Sequence, residues 1–173
     1  MAKTAIVLHH SDILNTYPQA ERIIKTHLNN PKIKQSSAYH YLIERNGEIV
    51  QFHDEEFIGY HSGNWLMNVR SIGICLGGDF TREKPTESQI FTLVGLVTDI
   101  QRRWGIPLSQ IFHHRDVKAT LCPAYDLRGA IEEGQTTLLA KRLRTAETAL
   151  SRPMRPERRN LLSRLIERLR GRS

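Results

Sequence analysis

Between Phe112 and Asp126 the chain sets two imidazoles (His113, His114), one thiol (Cys122) and two carboxylates (Asp116, Asp126) into fifteen residues. The stretch has no apolar period, so it predicts a loop carried on a scaffold built elsewhere. Imidazole and thiolate are the donors that zinc prefers. His114 and Cys122 lie eight positions apart, far enough to wrap both around one ion, and read as two ligands of a catalytic zinc. Such a centre takes three protein ligands and keeps its fourth position for a water, whose pKa falls to about 7. The third ligand has to come from a strand end, and His9 and His10 stand at one. Spacing alone does not choose between His9 and His10, or between His113 and His114.

The elements that must position these groups can be read in order. Thr4 to Leu8 is a short buried strand running into His9-His10, whose side chains must point to opposite faces. Thr16 is a candidate cap for a helix over roughly residues 17–29, with Ala20, Ile23, Ile24, His27 and Leu28 on one stripe. Ala38–Glu44 and Glu48–Phe52 form a hairpin about Asn46-Gly47, with Tyr39, Tyr41 and Ile43 on one face and His40 and Leu42 on the other. His53 to Arg70 shows no period and predicts a long surface loop of the kind that often carries function. Ser71–Leu76 is a further strand. Thr86-Glu87-Ser88-Gln89 is a capping box opening a helix at about 87–104, whose stripe is Ile90, Leu93, Val94, Val97, Ile100 and Trp104. A last strand at Gln110–His113 and a short helix after Asp126 complete an α/β fold. It is a single domain with a central mixed β-sheet flanked by helices, plus a basic helical C-terminal extension.

Charge separates the two parts. Residues 1–127 hold 13 basic and 13 acidic side chains, whereas residues 128–173 hold 12 and 5, which is the whole net charge of +7. The expected division is a domain at 1–134 and an extension at 135–173. No run of about eighteen apolar residues exists, which excludes a transmembrane helix. The two cysteines, Cys75 and Cys122, are expected as a buried thiol and a metal ligand rather than a disulfide.

Five segments, in order, resemble the zinc-dependent N-acetylmuramoyl-L-alanine amidases, the superfamily of phage lysozyme-type amidases and peptidoglycan recognition proteins. Ile6-Val7-Leu8-His9-His10-Ser11 resembles the family's first strand. Ala38-Tyr39-His40-Tyr41-Leu42-Ile43 with Asn46-Gly47 resembles its tyrosine-bearing hairpin. His61-Ser62-Gly63 matches the groove loop, and Asn68-Val69-Arg70-Ser71-Ile72-Gly73-Ile74 the entry to the central strand. His113-His114-Arg115-Asp116-Val117 followed by Thr120-Leu121-Cys122-Pro123 resembles the His-x-Asp…Cys-Pro motif.

The resemblance covers about residues 4–127. It implies His9, His114 and Cys122 as zinc ligands, Tyr39 as the catalytic tyrosine, Thr120 as a helper and His61 as a substrate contact. It also implies the reaction, hydrolysis of the amide between N-acetylmuramic acid and the L-alanine of the stem peptide. Lysine would be the more obviously electrostatic residue at position 120. Cytosolic members that recycle muropeptides place a glutamate base after the Ser-Ile-Gly-Ile segment and use aspartate as third ligand. Here those positions are Cys75 and Cys122, which points to the phage and recognition-protein branch.

The leading expectation is a phage or prophage endolysin that degrades bacterial peptidoglycan. The apolar run at the N-terminus is too short for a signal peptide, so the expectation is cytoplasmic synthesis and action on the wall after holin-type release. The competing functions are a non-catalytic muropeptide recognition module and a regulatory protein–protein role. Without the resemblance, Tyr39 reads as a sheet-packing aromatic. His10, His27, His40, His53 and His113 read as structural or surface residues, and Asp116 and Asp126 as groups that fix the loop. In the extension, Glu157–Arg170 sets Leu161, Leu162, Leu165, Ile166 and Leu169 against five arginines. That is the pattern of a cationic amphipathic helix suited to anionic membrane or lipopolysaccharide surfaces. No aromatic or base-reading element accompanies those arginines, which argues against nucleic acid.

Overall fold

The computed structural model describes residues 2–14, 17–33 and 37–150, with side chains to residue 148. The expected cap Thr16 and the arginine-rich segment 157–170 lie outside the described residues. Residues Met1–Gln135 form one compact unit.

Five strands make one mixed sheet: β1 (Ala5–His10), β2 (Tyr41–Ile43), β3 (Ile49–Gln51), β4 (Ser71–Leu76) and β5 (Ile111–His113), in the order β3-β2-β4-β1-β5. Only the β2–β3 hairpin is antiparallel; β1, β2, β4 and β5 run parallel. Every residue of β1 and β4 is buried, as expected of strands covered on both faces.

The period of two sorts β1. Ile6 and Leu8 join Ile72, Ile74, Leu76 and Ile111 in a core packed against α3 (Glu87–Trp104) and the first turns of α5 (Leu127–Leu150). Ala5 and Val7 face the other way, toward Met67 of α2 (Trp65–Arg70) and Val117 of α4 (His114–Val117). On that second side Leu42 and Cys75 pack with Ile23 of α1 (Ala20–Leu28). His9 therefore shares the face of Val7, whereas His10 turns to the α3 side, its ring 5.7 Å from that of Phe80.

Helix α3 spans the expected residues. Thr86 Oγ1 accepts from the Gln89 backbone N–H and the Gln89 side chain accepts from that of Thr86. Leu93, Val97 and Ile100 are fully buried, each contributing about 1.5–3 kcal/mol of burial free energy.

Five expectations are corrected. Helix α1 begins at Ala20, because the Glu44 carboxylate accepts from the backbone N–H groups of Gln19 (2.7 Å) and Ala20 (3.0 Å) and so supplies the anion that a helix N-terminus favours. The end of the 53–70 loop is the helix α2, which Asn64 caps by accepting from the Met67 N–H. His114–Val117 is a helical turn rather than loop, since Asp116 accepts from the His113 N–H at 2.8 Å. The helix after Asp126 is not short but runs 24 residues to Leu150. Tyr39 also leaves the expected face: it precedes β2 and packs with Leu42 and Cys75, not with Tyr41 and Ile43.

Candidate metal centre

Register brings the donors together. His113 pairs with Leu8 across β1 and β5, so the residue after each brings His114, the first of α4, alongside His9. Their ring centroids are 4.6 Å apart. The site thus opens at the carboxyl ends of parallel strands, the usual position for a ligand in such sheets. Cys122 arrives from the far end of the α4 loop, with Cys122 O accepting from the Arg115 N–H at 2.8 Å. One donor atom from each of His9, His114 and Cys122 lies within 4.8 Å of the others. His10 and His113 are excluded from this set by face. His10 Nδ1 accepts from the Phe80 N–H and His113 Nε2 from the Arg128 N–H.

Hydrogen bonds behind the imidazoles select the atoms. His9 Nε2 lies 3.0 Å from His61 Nδ1, His61 Nε2 lies 3.3 Å from Ser71 Oγ, and Ser71 Oγ lies 2.5 Å from Met67 O. The final carbonyl can only accept, so the Ser71 hydroxyl donates to it. Ser71 Oγ must then accept from His61 Nε2–H, which leaves His61 Nδ1 to accept from His9 Nε2–H. His9 Nδ1 keeps its lone pair, and it is this nitrogen that faces Cys122 Sγ at 3.9 Å. His114 follows the same logic: its Nε2 donates to the Ser62 carbonyl at 3.1 Å, freeing Nδ1. His61 and Ser62, adjacent in sequence, thus orient both imidazoles, as the outer partners of metal-binding histidines do.

Electrostatics keep the donors free of protons except at sulfur. Burial holds His9 well below the ordinary imidazole range, with His61, His114 and His10 adding to the effect. His114 is lowered by burial, with its bond to Ser62 O opposing and the Lys118 charge reinforcing. Burial pushes the Cys122 thiol up to about 12, opposed by its backbone bond to His10; the His10 N–H reaches the sulfur at 3.3 Å. Two neutral imidazoles and a thiol are a set that a divalent cation can bind by displacing a single proton.

The other expected site residues fall as follows. The Tyr39 ring is 5.1 Å from that of His9. Burial raises its phenol well above the ordinary value, and the neighbouring Cys75 and Cys122 raise it further, so it stays an O–H donor. Thr120 is exposed and its Oγ1 accepts from the Cys122 N–H at 3.2 Å, which makes it a clamp on the ligand loop. His61 is 5% exposed and both its nitrogens are used inside. The structure puts it behind His9. Its ring lies flat on β4, where a Cβ at Gly73 would come within 2.6 Å of it; only glycine permits that approach. Ser71 and the carbonyls of Ser62 and Met67 were missed by sequence reasoning. Backbone acceptors leave no signal in a residue pattern.

A family model described as N-acetylmuramoyl-L-alanine amidase matches residues 2–125. Peptidoglycan-recognition protein SC2 of Drosophila melanogaster is 32% identical over 90 residues, which is 51% of this chain and 48% of that protein. The endolysin of Enterobacteria phage T3 is 30% identical over 95 residues, 52% of this chain and 60% of the endolysin. The chain therefore spans about half the length of these relatives. Among solved structures, the N-acetylmuramoyl-L-alanine amidase LysC from Clostridium intestinale URNW superposes with a TM-score of 0.67 at 27% identity, covering 80% of this chain and 86% of LysC.

Proposed function

The chain belongs to the N-acetylmuramoyl-L-alanine amidase family, and from that membership we propose a zinc-dependent peptidoglycan hydrolase that cuts the amide between N-acetylmuramic acid and the L-alanine of the stem peptide. The observation that carries the proposal is the three-donor cluster of His9, His114 and Cys122, within 4.8 Å. A tetrahedral zinc with ordinary Zn–N and Zn–S bonds spaces its donors about 3.3–3.6 Å apart, which small side-chain movements reach from here. Three protein donors are also the number that a catalytic zinc takes.

Zinc held by these residues would supply Lewis acidity toward the scissile carbonyl and a water acidified to about pKa 7. The protein's own groups do the rest. His61 and the Ser62 carbonyl fix the two imidazoles, so that the site does not reorganise as charge develops. Tyr39, neutral and beside His9, donates its phenol O–H to the oxyanion of the tetrahedral intermediate. Thr120 holds the Cys122 backbone and keeps the loop closed on the sulfur.

The lytic role is supported by kinship with phage endolysins. The excess of 12 basic over 5 acidic side chains in residues 128–173 suits a tail, spanning 135–173, that holds the enzyme on anionic membrane or lipopolysaccharide surfaces. Among the described residues no helix is long and apolar enough to cross a membrane.

Mass spectrometry of purified peptidoglycan digests tests the proposal. The expected products are stem peptides with a free L-alanine amine and glycan retaining intact muramic acid, lost on chelation and restored by zinc. Tight muropeptide binding without turnover in a zinc-loaded sample would instead support the non-catalytic recognition module.

A further inference from the structure

Beside the metal cluster sits a cation that none of the ligands or their hydrogen-bond partners binds. Lys118 closes the α4 turn, its N–H bonded to His114 O at 3.0 Å. Its side chain folds back over the groove loop. A Cβ built on Gly63 would lie 2.7 Å from Lys118 Nζ and 2.8 Å from Cδ, and Gly63 itself has φ +67°. The lysine therefore lies along a lane that a glycine keeps open, next to Ser62, whose carbonyl receives His114.

Arg115, on the same helical turn, reaches His113 Nδ1 at 3.4 Å. Among the described residues no ion pair or hydrogen bond engages the Lys118 ammonium. An exposed, unpaired charge beside a metal centre is a docking point for an anion. Flanking the groove loop in sequence, the exposed rings of Tyr60 and Trp65 have centroids 5.9 Å apart, an apolar surface along which a peptide can lie.

We propose that Lys118, laid across Gly63, forms a carboxylate subsite that binds an acidic group of the stem peptide and so selects acidic over amidated substrates. The proposal rests on the amidase reading and adds a specificity-determining residue to it. Lys118 binds substrate here and takes no part in bond cleavage. Its loss therefore acts on KM rather than kcat.

The test uses two muropeptides that differ only in one carboxylate replaced by a carboxamide. Binding to the zinc-loaded protein is measured by calorimetry and turnover by product release. Wild type should bind the carboxylate form about tenfold more tightly, the scale of one charge-assisted hydrogen bond. Lys118→Met should bind both forms alike, with kcat retained, and Lys118→Arg should keep the preference. Equal binding of both peptides by wild type, or a preference surviving in Lys118→Met, overturns the subsite. Absence of turnover by wild type would count against the amidase reading alone, because the binding preference is read without it.

Discussion

His9 Nε2 lies 3.0 Å from His61 Nδ1, and this bond decides which nitrogen of His9 is free for a metal. The chain of donors ends on the Met67 carbonyl, so its direction is fixed. Any change that lets His61 donate toward His9 would put a proton on the nitrogen that faces Cys122.

Replacing His61 by Phe should therefore weaken zinc binding by 10–100-fold, the usual cost of losing an outer partner of a ligand. Competition with a chromogenic chelator measures it. Unchanged affinity would mean that the ring merely fills space over Gly73.

Replacing Tyr39 by Phe should lower kcat by roughly 10²–10³, the scale of a lost oxyanion donor, with zinc content unchanged. Steady-state kinetics with metal analysis separate the two effects. A loss of zinc in step with activity would contradict the assigned role.

Acid should destabilise the metal-free protein in a window set by histidine. Seven of the eight histidines are held below the ordinary imidazole range, with burial the largest cause in each, and His40 falls to about 4. The unfolded chain takes up these protons as pH falls through about 6.5, while the folded chain resists until a lower pH. The unfolded state then binds more protons, so stability is full above about 6.5 and declines toward 4. The midpoint of thermal unfolding should drop by roughly 5–10 °C between pH 7 and 5. A flat profile over that interval would contradict it.

The arginine-rich tail should act on location rather than chemistry. Changing Arg158, Arg159, Arg164, Arg168 and Arg170 to Gln should abolish sedimentation with anionic vesicles and leave turnover of soluble muropeptide unchanged. Equal sedimentation of the variant would remove the surface-binding role.

Sequence made the sheet and the long helix legible because both write their period in apolar residues: β4 at Ser71–Leu76 and α3 at Glu87–Trp104 match residue for residue. The choice of His9 over His10 needed a face, which a strand supplies only once its neighbours are known. Cys122 and His114 stood out by chemical type. The place of His61 behind His9 was not legible, because exposure is a tertiary property. Helix α2 was missed because its cap, Asn64, sits in a run of mixed polarity. The start of α1 was misplaced because its cap comes from Glu44, 24 residues away from Ala20. Lys118 had no sequence signal: its position depends on a glycine 55 residues earlier that lies beside it only in the fold.

The central claim is that His9, His114 and Cys122 hold the zinc that drives amide cleavage. It is tested most directly by titrating zinc into metal-depleted protein while following release of L-alanine-terminated peptide. Activity should rise linearly to one equivalent of zinc and then level off, and Cys122→Ala should stay inactive across the titration. Full activity without added zinc, or a Cys122→Ala protein that follows the wild-type curve, would contradict it.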